Sequence, residues 1–152
     1  MFFYIIAGTF LLDQTTKTVV QFLMYQGESI PVLPPVFYLT YIMNPGAAFG
    51  FLAYQTHVFI IISVVLIAGM LLGYRKLPPG RGLLRTGMGM IVGGALGNLA
   101  DRLRYGLVVD FLDFRVWPVF NVADTAIVIG TGFLIWEILM DKGPKEKQES
   151  EN

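Results

Sequence analysis

Four long apolar runs constrain this chain more tightly than anything else in it. They cover about residues 3–24, 57–75, 84–101 and 122–140. Each is close to the ~20 residues that a helix needs to cross the hydrocarbon core of a bilayer. Soluble domains carry roughly 25% charged residues, whereas this chain of 152 residues has 14% and is 55% hydrophobic. The pattern predicts an all-α membrane protein, one polytopic domain over residues 1–152.

Composition removes several chemistries. The chain has no cysteine, so disulfides, thiolate catalysis and cysteine metal sites are excluded. His57 is the only histidine, and its place at the start of the second run suits a surface residue near the interface. A zinc site would have to be built almost wholly from carboxylates, which is unusual, so neither a metal nor another cofactor is expected. No serine stands in a recognisable nucleophile setting. A formal net charge of zero gives no sign of a nucleic-acid partner.

The first run is interrupted by Asp13, Gln14 and Lys17. A cleaved signal peptide fits it poorly, because no basic segment precedes the apolar run and no small-x-small cleavage site follows it. Asp13 and Lys17 are spaced i, i+4 with the acid first, so they can pair on one helix face and orient the helix against its neighbours. Residues 25–56 are broken by Pro31, Pro34, Pro35 and Pro45. Between these prolines, Val36 to Met43 is rich in β-branched and aromatic residues and favours a strand. Asn44-Pro45-Gly46 is a turn signal, and Ala47, Ala48, Phe49 and Gly50 complete a segment that reads equally as a turn or as the wall of a groove.

The loop after the second run carries Arg75, Lys76, Arg81 and Arg85 with no acid among them. Short basic loops stay in the cytoplasm. Alternation then places both termini inside, with the 141–152 tail cytoplasmic and disordered. It places residues 25–56 and 102–121 together on the outer face. Glycines 87, 89, 93, 94 and 97 in the third run predict close helix packing. Residues 107–120 read as a short hairpin, and Asn121 or Asp124 as the cap of the last helix.

The stretch from Gly93 to Ala126 holds four of the six aspartates, Asp101, Asp110, Asp113 and Asp124, together with Asn98, Asn121 and Arg102. Charged groups beside apolar spans are costly unless they pair, line a wet cavity or do chemistry. Two carboxylates in a partly dehydrated site share a proton, one acting as base and the other as acid. Asp110 and Asp124 suit that role, since a hairpin can fold one back onto the other. Strand alternation sends Asp113 to the face opposite Asp110. Asp101, followed by Arg102 and Arg104, suits a fixed ion pair with a neighbouring arginine. Caps, turns and ion pairs would also account for each aspartate singly. A small transporter or channel and a non-catalytic scaffold are the rival readings. A transporter would place its acids near the midplane and often show an internal repeat, and none is visible here.

Five blocks in order carry a resemblance. They are Leu12-Asp13-Gln14 with Lys17; Asn44 to Phe49; Gly93 to Asn98 leading to Asp101-Arg102; Val108-Val109-Asp110-Phe111; and Phe120 to Asp124. Over roughly residues 4–140 the chain resembles the prokaryotic lipoprotein signal peptidases, the signal peptidase II family. The resemblance implies four transmembrane helices with a small extracytoplasmic β-cradle and a short amphipathic helix. It implies an intramembrane aspartic endopeptidase that cleaves diacylglyceryl-modified prolipoproteins just before the lipidated cysteine. Asp110 and Asp124 would be the catalytic dyad. Asn44, Gly46, Asn98, Arg102 and Asn121 would line the site, with Asp13, Lys17 and Asp101 in support. It further implies a monomer in the bacterial cytoplasmic membrane, in contact with lipid, with its site near the outer face and sensitive to the cyclic peptide globomycin.

Overall fold

The computed structural model describes residues 1–46, 55–78 and 80–140. Its elements follow in the order α1 (Phe2–Leu23), β1 (Ser29–Leu33), β2 (Phe37–Asn44), α2 (Thr56–Arg75), α3 (Gly82–Tyr105), β3 (Val108–Asp113) and α4 (Val122–Met140). The glycines of α3 let two other helices approach to backbone distance. A Cβ on Gly87 would meet the Gly130 carbonyl of α4 at 2.6 Å, and one on Gly130 would meet the Gly87 carbonyl at 2.5 Å. On another side of α3, a Cβ on Gly93 would lie 2.8 Å from the Ile6 carbonyl of α1. Close packing of small residues, the expected use of this run, is what holds α1 and α4 to α3.

The outer surfaces of these helices are apolar. Phe22 of α1, Ile61 and Val65 of α2, and Val128 and Leu139 of α4 are all exposed. So much exposed apolar surface is far more than a soluble monomer carries. Among the described helices, α2 and α4 are each long and apolar enough to cross a membrane. In α1 and α3 the same length is diluted by polar residues and glycine.

One end of the bundle gathers the start of α1, the end of α2, the start of α3 and the end of α4. There Phe2 stacks on Tyr74 with centroids 3.8 Å apart, and Arg81 meets Glu137 at 3.4 Å. The sheet sits at the other end. Its order is β1-β2-β3, antiparallel throughout. Val20 and Met24 at the end of α1 pack with Tyr41, Val109 and Phe111 to seat it.

Two local expectations need correction. The 107–120 hairpin is a single strand, β3, paired with β2, and the chain returns through one isolated bridge, Leu112 to Phe120. Arg115 takes a left-handed φ of 64° and Pro118 has no N–H to donate, so a second hairpin strand cannot propagate. β1, which the prolines hid, is also a strand. The short amphipathic helix implied by the resemblance is not among the described residues. Ala47 to Gly50 and the tail from Asp141 lie outside them too.

Candidate active site

Three charged side chains form the floor of the site, each almost wholly buried: Asp13, Lys17 and Asp101. Lys17 Nζ lies 3.0 Å from Asp13 Oδ2, as the i, i+4 spacing predicts, and 2.8 Å from Asp101 Oδ2. The expected arginine partner of Asp101 is therefore replaced by Lys17. Adjacent residues on a helix point about 100° apart, which turns Arg102 away from Asp101 while α1 presents Lys17 to it. Burying charges is costly unless their remaining lone pairs are also filled. Here the Ala123 N–H donates to Asp13 Oδ1 at 2.9 Å and the Val109 N–H to Asp101 Oδ2 at 3.1 Å. Gln14, to which sequence reasoning gave no role, donates to Asp101 Oδ1 at 3.0 Å and accepts from Arg104 at 2.9 Å. The floor thus ties α1, α3, β3 and the first turn of α4 together.

Above it, Asn121 and Asp124 cap α4 reciprocally. The Asp124 N–H donates to Asn121 Oδ1 at 2.9 Å, and the Asn121 N–H to Asp124 Oδ2 at 3.2 Å. This is the capping-box arrangement, so both residues named as cap candidates take part. The box fixes the Asn121 amide group toward Asp110 Oδ1, 2.7 Å away. Asn98 donates to Asp124 Oδ1 at 2.7 Å, and Asn44 donates to Asp110 Oδ2 at 2.6 Å. Each of the two carboxylates therefore accepts two hydrogen bonds.

Asn44 reaches Asp110 because β2 carries one extra residue. Leu39 pairs with Leu112 and Ile42 with Asp110, so Thr40 and Tyr41 together face Phe111. A bulge of this kind exchanges the faces of the strand beyond it. Thr40 consequently serves Asp113, at 2.7 Å, while Asn44, also even-numbered, serves Asp110 on the opposite face. Gly46 has φ 92° and donates to Asn44 Oδ1 at 2.8 Å, and a Cβ there would enter the Phe59 ring. Arg102 lies over that ring, 4.9 Å from its centroid, within electrostatic reach of Asp124 and Asp110.

The two faces of β3 differ electrically. Burial and the neighbouring Asp124 charge push the Asp110 carboxyl up to about 7, against the pull of the Asn44 and Asn121 hydrogen bonds and the Lys17 charge. At Asp113 burial acts in the same sense, but hydrogen bonds from Thr40 and the Arg115 N–H, with the Arg115 charge, outweigh it and hold the carboxyl low. Asp113 is thus an ordinary ionised partner of Arg115, 3.4 Å away. Asp110, raised by burial and by its neighbour Asp124, is a carboxyl that can hold a proton near neutrality.

Beside Asp124 opens an apolar cavity of about 390 Å³, lined by Phe114, Trp117, Phe120, Thr125, Val128 and Ile129 as well as Asp124 itself. Asp124 apart, these residues were not foreseen as site residues. Their signal, if any, was the spacing of Phe114, Trp117 and Phe120 at every third position.

Over most of its length the chain is similar to known proteins. The family model described as Signal peptidase (SPase) II matches residues 5–140. A lipoprotein signal peptidase of Pelotomaculum thermopropionicum is 62% identical over 147 residues, 97% of this chain and 97% of that protein. One from Moorella thermoacetica is 50% identical over 137 residues, 90% of this chain and 91% of its own. Among solved structures, a bacterial membrane enzyme determined by the in meso method at 2.3 Å resolution has a TM-score of 0.86 at 31% identity, covering 93% of this chain and 89% of that one.

Proposed function

Since this chain belongs to the signal peptidase II family, proteases that remove signal peptides from prolipoproteins, we propose that Asp110 and Asp124 are its catalytic pair. The observation that carries this reading is their shared set of hydrogen-bond donors, with Asp110 raised to about 7 beside the Asp124 charge. At rest the proton sits on the buried Asp110, and the half-buried Asp124, which faces the apolar cavity, serves as the base. Asp124 takes a proton from water as its oxygen attacks the scissile carbonyl, and Asp110 protonates the carbonyl oxygen. In the reverse sense, a hydroxyl proton of the tetrahedral intermediate returns to Asp110. Asp124 gives its proton to the leaving nitrogen as the C–N bond breaks. Asn44, Asn98 and Asn121 hold the two carboxylates at fixed angles, Arg102 faces the developing charge, and Gly46 leaves room for the Phe59 ring on which Arg102 rests.

The substrate of this reading is a prolipoprotein whose cysteine carries diacylglyceryl, cut just before that cysteine. A lipid-anchored substrate stays in the bilayer, and the cavity at Asp124 supplies an apolar seat for an acyl chain. Exposed apolar residues on α1, α2 and α4 support four spans in a bacterial cytoplasmic membrane, with the glycine-rich α3 packed between them. The basic 75–85 loop supports cytoplasmic termini and a site at the outer face. A monomer inhibited by globomycin completes the proposal.

The test is cleavage of a diacylglyceryl-modified prolipoprotein by the purified protein in detergent, with the unmodified precursor as control and globomycin as inhibitor. Cleavage of the modified form alone is expected; folded protein that cleaves neither would return the transporter and scaffold readings. The pair also sets a pH dependence. Its working form needs the Asp110 proton, so kcat/KM falls as pH rises through about 7. For stability the raised folded value favours the folded state at low pH, a contribution fully present below 3.8 and lost as pH rises from there to about 7. A profile flat from pH 5 to 9 would count against the shared proton. Val128→Trp, which fills the cavity, should lower kcat/KM for the lipidated substrate about 10-fold, mainly through KM. Unchanged kinetics would remove the cavity from the substrate's path.

A further inference from the structure

The three asparagine amides of the site each present an NH2 group to a carboxylate, and each could in principle be turned the other way. What fixes them differs. Asn44 is held by the Gly46 N–H and Asn121 by the Asp124 N–H, at 2.8 and 2.9 Å. A backbone N–H can only donate, so in both cases the side-chain oxygen must face it. Asn98 is held by a side chain instead: Lys17 Nζ lies 2.9 Å from its Oδ1. Asn121 Nδ2 also approaches that oxygen at 3.0 Å, but its two protons are divided among Asp110 Oδ1 at 2.7 Å, Asn98, and the Val109 carbonyl at 3.2 Å. The dedicated donor is Lys17.

We infer that Lys17 is a positioning residue of the reaction, which locks the Asn98 amide with its oxygen inward and its NH2 group on Asp124. This rests on the reading of Asp110 and Asp124 as the catalytic pair. An ammonium has three protons and no acceptor. Those of Lys17 meet Asp13 Oδ2, Asp101 Oδ2 and Asn98 Oδ1, all within 3.0 Å. With every proton engaged, Lys17 has none to exchange with substrate, and its effect passes through Asn98. With the amide reversed, the Asn98 oxygen would stand against Asp124 Oδ1, where the NH2 group now lies at 2.7 Å. Two acceptors in contact favour a protonated Asp124, which removes the base. The charged groups around this contact are Asp13 on α1, Asp101 and Arg102 on α3, Asp110 on β3 and Asp124 on α4.

Lys17→Met alone would leave two buried acids facing each other. The informative variant is Lys17→Met with Asp101→Asn, which keeps the net charge of Asp13, Lys17 and Asp101 at minus one, as in the parent. Asp101→Asn alone is its reference, and Asn98→Asp is the second arm. Each full-length protein is assayed in detergent with diacylglyceryl-modified prolipoprotein across pH, with thermal unfolding alongside. Relative to the parent, whose charge it matches, and also to Asp101→Asn, the double variant should lose about 10²-fold in kcat with little change in KM. The acid limb of its profile should move up by ~1 pH unit. Asn98→Asp keeps an acceptor on Lys17 but puts a second oxygen where the NH2 group stood, so its profile should move the same way. Asn98→Asp gives the size of loss that an oxygen against Asp124 produces. If the double variant does not fold, Lys17→Gln with Asp101→Asn is read in its place: its amide still donates to Asn98 Oδ1, so its rate should stay within a few-fold of the parent, and a loss as large as that of Asn98→Asp overturns the inference. An unchanged rate and profile in either folded variant overturns the inference. Asp124→Asn run in parallel separates the two ideas, since activity there would sink the catalytic pair itself.

Discussion

Asp110→Asn and Asp124→Asn should each give a folded, membrane-inserted protein whose cleavage of lipidated prolipoprotein is down roughly 10⁴-fold, the upper range for loss of a general acid or base. The fold should survive because shape is kept and part of each hydrogen-bond set remains. Asp110 accepts from Asn44 on one oxygen and Asn121 on the other, so an asparagine there keeps one bond and loses the second. A donor left unpaired costs roughly 1–3 kcal/mol, enough to lower the unfolding temperature without abolishing the fold. Asp113→Asn is the control. It lies on the other face, its partners are Thr40 and Arg115, and a hydroxyl can turn to suit an amide. Its rate should stay within a few-fold of the parent. The comparison is read from initial rates with equal amounts of folded protein, and parental activity in either of the first two variants would end the dyad assignment.

Gly97→Ala should be among the most damaging single methyls at the described glycines. A Cβ at Gly97 would run into Asp13 Oδ2 and come within 3.5 Å of Ala123 Cβ. Asp13 cannot yield freely, since it holds both Lys17 and the Ala123 N–H. Overpacking alone costs roughly 1–3 kcal/mol, and loss of the Asp13–Lys17 contact would raise that toward the ~3–5 kcal/mol of a broken buried pair. Activity should fall with stability, because displaced Lys17 no longer orients Asn98. Gly69→Ala and Gly132→Ala meet nothing within 4 Å and should be neutral. Thermal unfolding of the three in one detergent is the measurement, and equal midpoints would mean that the floor tolerates rearrangement.

Some of the site was legible before any coordinates. Lys17 follows Asp13 by one helical turn, which makes their pairing a local matter. Asp110 and Asp113 differ in strand parity, and they do occupy opposite faces with different partners. Asn121 precedes Asp124 by the capping-box interval. The family resemblance, carried by five blocks, is matched by the family model over residues 5–140. Other features were hidden for a physical reason. The Asp101 partner came from another helix, so adjacency to Arg102 misled. The hairpin at 107–120 was replaced because β2 offers β3 a longer edge than the chain's own return. Which member of the pair holds the proton depends on burial, which no motif states.

Periodicity, charge cost and motif order are properties of residues and their near neighbours, and they determined that this is a membrane protease with its polar groups at one end of apolar helices. Tertiary structure decided who touches whom. The glycines of α3 set how near α1 and α4 come, which brings Lys17 under Asn98 and the Ala123 N–H onto Asp13. One extra residue in β2 turns Asn44 toward Asp110. Such contacts depend on register and on the distance between helix axes, and a shift of one residue or of one methyl group changes them while leaving every local pattern in the sequence the same.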